Sequence, residues 1–218
     1  MQRILKTSVL TVLTLQLLVM DAVAQDQIPT YTTKTRRFEI PYTVTSMDAS
    51  AVTTLWVSVD RGKAWSAFAK ETGQGGSFQF QTKQDGEYWF RSQTGAEQVS
   101  SGSTPQLRVY VDATPPRIQM TARNLPEGDV LIESLVTDQT VVANQVLMQI
   151  TTGPNSPWEV LPFQGKPIRL ENGDVRAVSR YKPTTASRVV VVRTIARDGA
   201  GNTTGLTKQV FLTPSSEP

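Results

Sequence analysis

The chain has 218 residues and a formal net charge of +3, with 22 Lys and Arg against 19 Asp and Glu. It contains neither cysteine nor histidine, which excludes Cys/His zinc sites, Ser-His-Asp triads, Cys-His dyads and disulfide staples. So small a net charge gives no reason to expect nucleic acid or an anionic membrane as partner, and no motif calls for a cofactor or a metal.

Arg3 and Lys6, the apolar run from Val9 to Met20, and Ala22-Val23-Ala24 make up the pattern of a secretory signal peptide over residues 1–24, with Gln25 the expected mature N-terminus. The apolar run is short for a bilayer span and Asp21 interrupts it, so no integral membrane segment is expected after cleavage. Losing Arg3, Lys6 and Asp21 takes the charge from +3 to +2. The expected location is secreted or periplasmic, at the cell envelope.

From Lys34 onward, short runs of Val, Ile, Thr, Tyr and Phe alternate with Gly, Pro, Asp and Asn, and no window sustains an apolar period of 3.6 residues. This pattern predicts an all-β sandwich or barrel. Strands are expected near 36–45, 52–60, 63–69, 77–82, 86–93 and 106–112 in a first half. A second half follows, with strands near 117–123, 129–137, 145–152, 158–163, 174–180, 188–197 and 206–212. The tail, residues 214–218, has too few apolar residues to pack and is expected to be mobile.

Two turns stand out. Ser58, Asp60, Gly62 and Trp65 lie where a tight turn joins two strands, with Gly62 free to take positive φ and Asp60 able to accept backbone N–H groups. Asp198, Gly201 and Asn202 lie in a loop that tolerates left-handed backbone and closes a hairpin onto the last strand. The first set matches S-x-D-x-G-x-x-W and so resembles the Asp-box of sialidases and other exported β proteins, where the motif is a structural hairpin. One copy is present, with Ala64 where Thr is usual. A propeller carries one copy per blade, so the resemblance extends to the hairpin and not to the enzyme.

Asp85 to Phe90, Val111 to Pro116 and Ala196 to Asn202 resemble the D-G-x-Y-x-F, V-D-x-T-P-P and A-x-D-x-A-G-N signatures of bacterial immunoglobulin-like, or fibronectin-III-like, domains. The resemblance implies two tandem immunoglobulin-like β-sandwich domains, at 25–113 and 114–213, joined at the stiff pair Pro115-Pro116. Such sandwiches serve as spacers, adhesin stalks and accessory domains of enzymes, so it implies no single activity.

Alternation turns Trp56 away from Leu55, Val57 and Val59, and turns Trp89 outward between Glu87 and Arg91. If both strands share a sheet, Trp56, Trp89 and Arg91 form either an aromatic binding platform or a surface covered by a hairpin or by the second domain. Asp85, Glu87, Glu171, Asp174 and Asp198 fall in predicted loops, where carboxylates either cap turns or line a hydrolytic cleft. Calcium at Asp198 and Asn202 lacks the carboxylate density of a dedicated site. Lys34, Arg36 and Arg37 are a basic cluster that either protects an edge strand or meets an acidic polymer. The function expected is a non-enzymatic binding or structural module with a protein or cell-envelope polysaccharide as partner. The alternative is a carbohydrate-active or other hydrolytic enzyme, or its accessory domain, using loop carboxylates.

Overall fold

A computed structural model describes residues 27–44, 50–73, 75–96, 98–183 and 188–213. The expected signal peptide with its cleavage point and the expected tail lie outside the described residues. The protein is an all-β sandwich structure made of several sheets. No helix among the described residues is long and apolar enough to cross a membrane.

In the first half, β1 (Thr30–Thr33), β2 (Arg37–Thr43), β3 (Val52–Ser58), β4 (Ser66–Thr72), β5 (Gly75–Gln81), β6 (Gly86–Thr94) and β7 (Leu107–Val111) follow in order. They form a five-stranded sheet, β1-β7-β6-β3-β4, and a ribbon, β2-β5. Alternation fills the space between them: Ile40, Phe78 and Phe80 from the ribbon meet Leu55, Val57, Tyr88, Phe90, Val109 and Val111 from the sheet. Phe80 is central, with its ring 4.8 Å from Phe90 edge-on and 5.2 Å from Tyr88, geometries that add to simple burial. The Tyr88 hydroxyl donates back to the Gln84 carbonyl at 2.9 Å.

The second half runs β8 (Arg117–Asn124), β9 (Val130–Thr137), β10 (Val146–Thr151), β11 (Glu159–Val160), β12 (Ile168–Arg169), β13 (Val175–Tyr181), β14 (Val189–Arg197) and β15 (Thr203–Phe211). Its sheets are β12-β13-β9-β8 and β11-β10-β14-β15. The core between them includes Val130, Ile132, Val136, Met148, Ile150, Val175, Val190 and Val192. One polar pair crosses it: the buried Ser134 and Thr194 hydroxyls share a 2.7 Å hydrogen bond between β9 and β14. The two apolar clusters draw on residues 40–111 and 118–210 respectively and share no buried residue.

Three expectations need correction. Strand β3 stops at Ser58, and Val59 is 72% exposed in the turn instead of sharing the face of Leu55 and Val57. The next strand starts at Ser66, because the turn takes up residues 59–65. β1 and β12 were not expected at all: β1 is the polar run TYTT, held to β7 by parallel backbone pairing, and β12 is two residues long.

Candidate functional site

The expected aromatic platform lies on the outer face of the five-stranded sheet. Strands β3 and β6 are neighbours there, with Trp56 opposite Arg91 and Ser58 opposite Trp89. Both tryptophans are half-buried. The Trp89 indole N–H donates to Glu87 Oε1 at 2.7 Å, and the Arg108 guanidinium lies 4.2 Å from the ring centroid. Arg91 Nη1 donates to the Thr104 carbonyl at 2.9 Å. The patch is therefore covered in part, by the hairpin at Gly62 and by the segment between β6 and β7.

The hairpin is built by its own polar residues. Ser58 Oγ donates to Asp60 Oδ1 at 2.7 Å and accepts the Gly62 N–H at 2.8 Å, while the Ala64 N–H donates to the same Asp60 oxygen at 2.9 Å. The Ala64 N–H and then the Ser58 hydroxyl hold the Asp60 carboxyl below its ordinary range. Gly62 has φ of +83°, and a Cβ there would sit 3.2 Å from the Trp89 ring. The Gly62 carbonyl accepts the Gly102 N–H at 2.9 Å, which ties the hairpin to the β6–β7 segment. Trp65 closes the turn, half-buried. Ser58, Asp60, Gly62 and Trp65 are thus a structural turn resting on Trp89.

Beside this hairpin an open groove of about 310 Å³ lies between the edges of β4 and β5, walled by Val57, Phe68, Phe80 and Tyr88 with Asp60 at its lip. In the second half, the outer face of β11-β10-β14-β15 carries Trp158 under the Arg193 guanidinium, 4.1 Å from the ring centroid. Arg193 is fixed by Gln149 Oε1 at 2.8 Å, and Val160 and Phe211 are 63% and 70% exposed on the same face.

Where the halves meet, all three signature segments converge. The Asn202 side-chain N–H donates to the Asp112 carbonyl at 2.7 Å, and Thr140 Oγ1 donates to Asp112 Oδ2 at 2.7 Å. Tyr110 donates its hydroxyl hydrogen to Gln139 Oε1 at 2.8 Å. Asp198 accepts the Asn202 backbone N–H at 2.8 Å and its side-chain N–H at 2.7 Å, and Gly201 takes the left-handed conformation between them at φ +90°. Asp85 accepts from Arg36 at 2.8 Å and from the Thr114 hydroxyl. Burial opposes ionisation of Asp85, but the Thr114 hydroxyl, the Ala113 N–H and Arg36 outweigh it and hold the carboxyl below its usual range.

The junction also gathers three carboxylates. One oxygen each from Asp112, Asp138 and Asp198 lies within 4.8 Å of the others, and Asp112 and Asp198 are only 5% and 3% exposed. Burial pushes the Asp112 carboxyl above its usual range, and the charges of Asp138 and Asp198 push it further. Such a donor set suits a hard, oxygen-preferring divalent cation, although Thr140 already donates to Asp112 and Asp138 and Asn202 to Asp198, so each of the three carboxylates accepts a hydrogen bond. Asp112 and Asp138 were not among the candidates read from sequence; Asp112 and Asp198 lie within signature segments, and Asp138 lies in none.

The loop carboxylates do not otherwise assemble. Glu87 pairs with Arg61 at 3.0 Å, Asp174 is buried and accepts from Asn172 at 2.9 Å, and Glu171 is exposed. β2 is an edge of its ribbon, and the charged Arg37 and Glu39 with Pro41 suit such an edge. No protein-family model and no curated protein matches the chain.

Proposed function

We propose that the chain is an exported, non-enzymatic binding or structural module made of two tandem immunoglobulin-like domains, 25–113 and 114–213, held at a fixed angle. Its partner is a protein or an envelope polymer that meets exposed sheet faces or edges. The observation that carries this reading is the junction: Asp112 and Asn202, conspicuous polar side chains of the signature segments, tie one half to the other, and Asp198 holds Asn202 in place. Both carboxylates, Asp112 and Asp198, are buried, out of reach of a substrate.

Strand order supports the domain reading. The second half, with β8, β9, β13 and β12 in one sheet and β11, β10, β14 and β15 in the other, follows the A-B-E-D and C-F-G order of immunoglobulin constant-type sandwiches, with one added strand. The first half pairs its equivalents of B and E as the ribbon and adds a strand parallel to its last, β1 on β7. The Tyr88 hydroxyl reaching back to Gln84, two residues before the buried Phe90, matches the tyrosine corner of such folds. Ser134 and Thr194 bridge the sheets between the equivalents of strands B and F, where antibody domains carry their disulfide.

The test is affinity capture from a native envelope fraction on the chain from Gln25 onward, run beside hydrolysis assays on a panel of glycosides and esters. The reading predicts a saturable partner and no turnover. Turnover abolished by Asp198→Asn would refute it.

A further inference from the structure

We propose that a basic corner of the first half, built from Lys34, Arg37 and Lys83 around the anchored Arg36, binds a linear acidic polysaccharide. This deepens, and rests on, the reading of the chain as an exported binding module. In sequence only residues 34–37 form a cluster; the fold brings Lys83 to them. The Thr82 N–H donates to the Arg36 carbonyl at 2.9 Å, and Arg37 lies opposite Gln81 in the ribbon, with its Nη2 donating to Gln81 Oε1 at 2.7 Å.

Edge protection accounts for Arg37, which sits on β2. It does not account for Lys34 or Lys83, which lie off the strands in the β1–β2 and β5–β6 connections. Lys34, Arg37 and Lys83 are exposed and make no ion pair among the described residues. Arg36 is different: Asp85 grips it through Nε at 3.0 Å and Nη2 at 2.8 Å, and Asp85 is held in turn by Thr114. The corner is thus fixed in shape by one satisfied arginine, with three exposed cations beside it in the chain or in the neighbouring turn that form no ion pair among the described residues.

The neighbouring side chains identify the class of ligand. Thr35, Gln81 and Gln84 are exposed beside the cations, so the surface offers positive charge for carboxylate or sulfate groups and amides and hydroxyls for sugar hydroxyls. No aromatic ring is exposed among residues 34–37 and 81–85 for stacking on bases, and no apolar side chain is exposed there to enter a bilayer. A hydroxyl-rich polyanion fits better than nucleic acid or an anionic membrane.

The experiment measures binding of the chain from Gln25 onward to polygalacturonate by calorimetry at about 25 mM and about 150 mM NaCl. Neutral dextran, anionic phospholipid vesicles and single-stranded DNA are parallel arms. Binding to polygalacturonate should weaken with salt, and by about tenfold or more in Lys34→Glu/Arg37→Glu/Lys83→Glu, the loss expected for three exposed charge pairs. Lys34→Gln/Arg37→Gln/Lys83→Gln removes the charge more gently and should weaken binding in the same direction. Arg123→Glu/Lys166→Glu/Lys182→Glu, an equal charge change on the second half, should bind nearly as the parent does. No binding at low salt, equal loss in both Glu triples, or corner-dependent binding to vesicles or DNA instead would overturn the proposal. Retention of the full chain in the cytoplasm on expression with residues 1–24 would refute the export reading instead, leaving the binding result to stand or fall alone.

Discussion

Replacing Asn202 by alanine strikes the junction at its most connected point. The side-chain amide donates to the Asp112 carbonyl of one half and to the Asp198 carboxylate of the other, both at 2.7 Å. A neutral hydrogen bond contributes about 1 kcal/mol and one to a charged group about 1.5–3. The variant also leaves Asp198, only 3% exposed, with fewer donors and little access to water. The expected loss is therefore about 2–4 kcal/mol. With a urea m-value near 1.5 kcal/mol/M, the unfolding midpoint of the second half falls by roughly 2 M. The assay is urea unfolding followed by far-UV circular dichroism, with Asn144→Ala as an exposed control that should change little. A loss for Asn202→Ala under about 0.5 kcal/mol, within the range of ordinary surface substitutions, would mean that these bonds do not hold the junction.

Other consequences follow from named contacts. Ser134→Cys/Thr194→Cys should oxidise spontaneously, since the hydroxyls are already 2.7 Å apart; closing a loop of about 60 residues should add up to roughly 4 kcal/mol, and a failure to cross-link under oxidation would contradict the facing of β9 and β14 across the core. Asp112→Asn should stabilise the protein at neutral pH in EDTA. Because Asp112 has a raised carboxyl pKa in the fold, its ionisation costs stability above that pKa, and the cost disappears as pH falls towards the ordinary value of 3.8. The advantage of the variant should therefore shrink to nothing in acid, and a gap that widens on acidification would reverse the assignment. Gly62→Ala should cost about 1–3 kcal/mol by thermal melting, from strain at φ +83° together with the 3.2 Å approach to the Trp89 ring; an unchanged melt would refute the seating of the hairpin on that ring.

Strands with one face in a core were legible because their side chains alternate. β14 buries every second residue from Val190 to Ala196, and the sequence run of β-branched residues marks it plainly. β1 carries no such signal, because its residues are mostly exposed and it is fixed by backbone pairing to a strand far along the chain. The outward direction of Trp56 and Trp89 followed from alternation, but the choice between an open platform and a surface covered by a hairpin or the second domain did not. It depends on a Ser- and Gly-rich segment reaching Gly62, and neither period nor composition encodes that contact. The gathering of Asp112, Asp138 and Asp198 was invisible for the same kind of reason: the three come from separate connections and meet only once the halves are joined. The turn chemistry of Asp60 and Asp198, being local, was readable residue by residue.

The most direct test of the account is backbone 15N relaxation on the chain from Gln25 onward. The Asn202 to Asp112, Thr140 to Asp112 and Tyr110 to Gln139 bonds should make the halves tumble together, with relaxation of β2–β7 and β8–β15 fitted by one diffusion tensor. Separate correlation times for the two sets of strands would contradict the locked junction, and with it the reading of the chain as a rigid two-domain module.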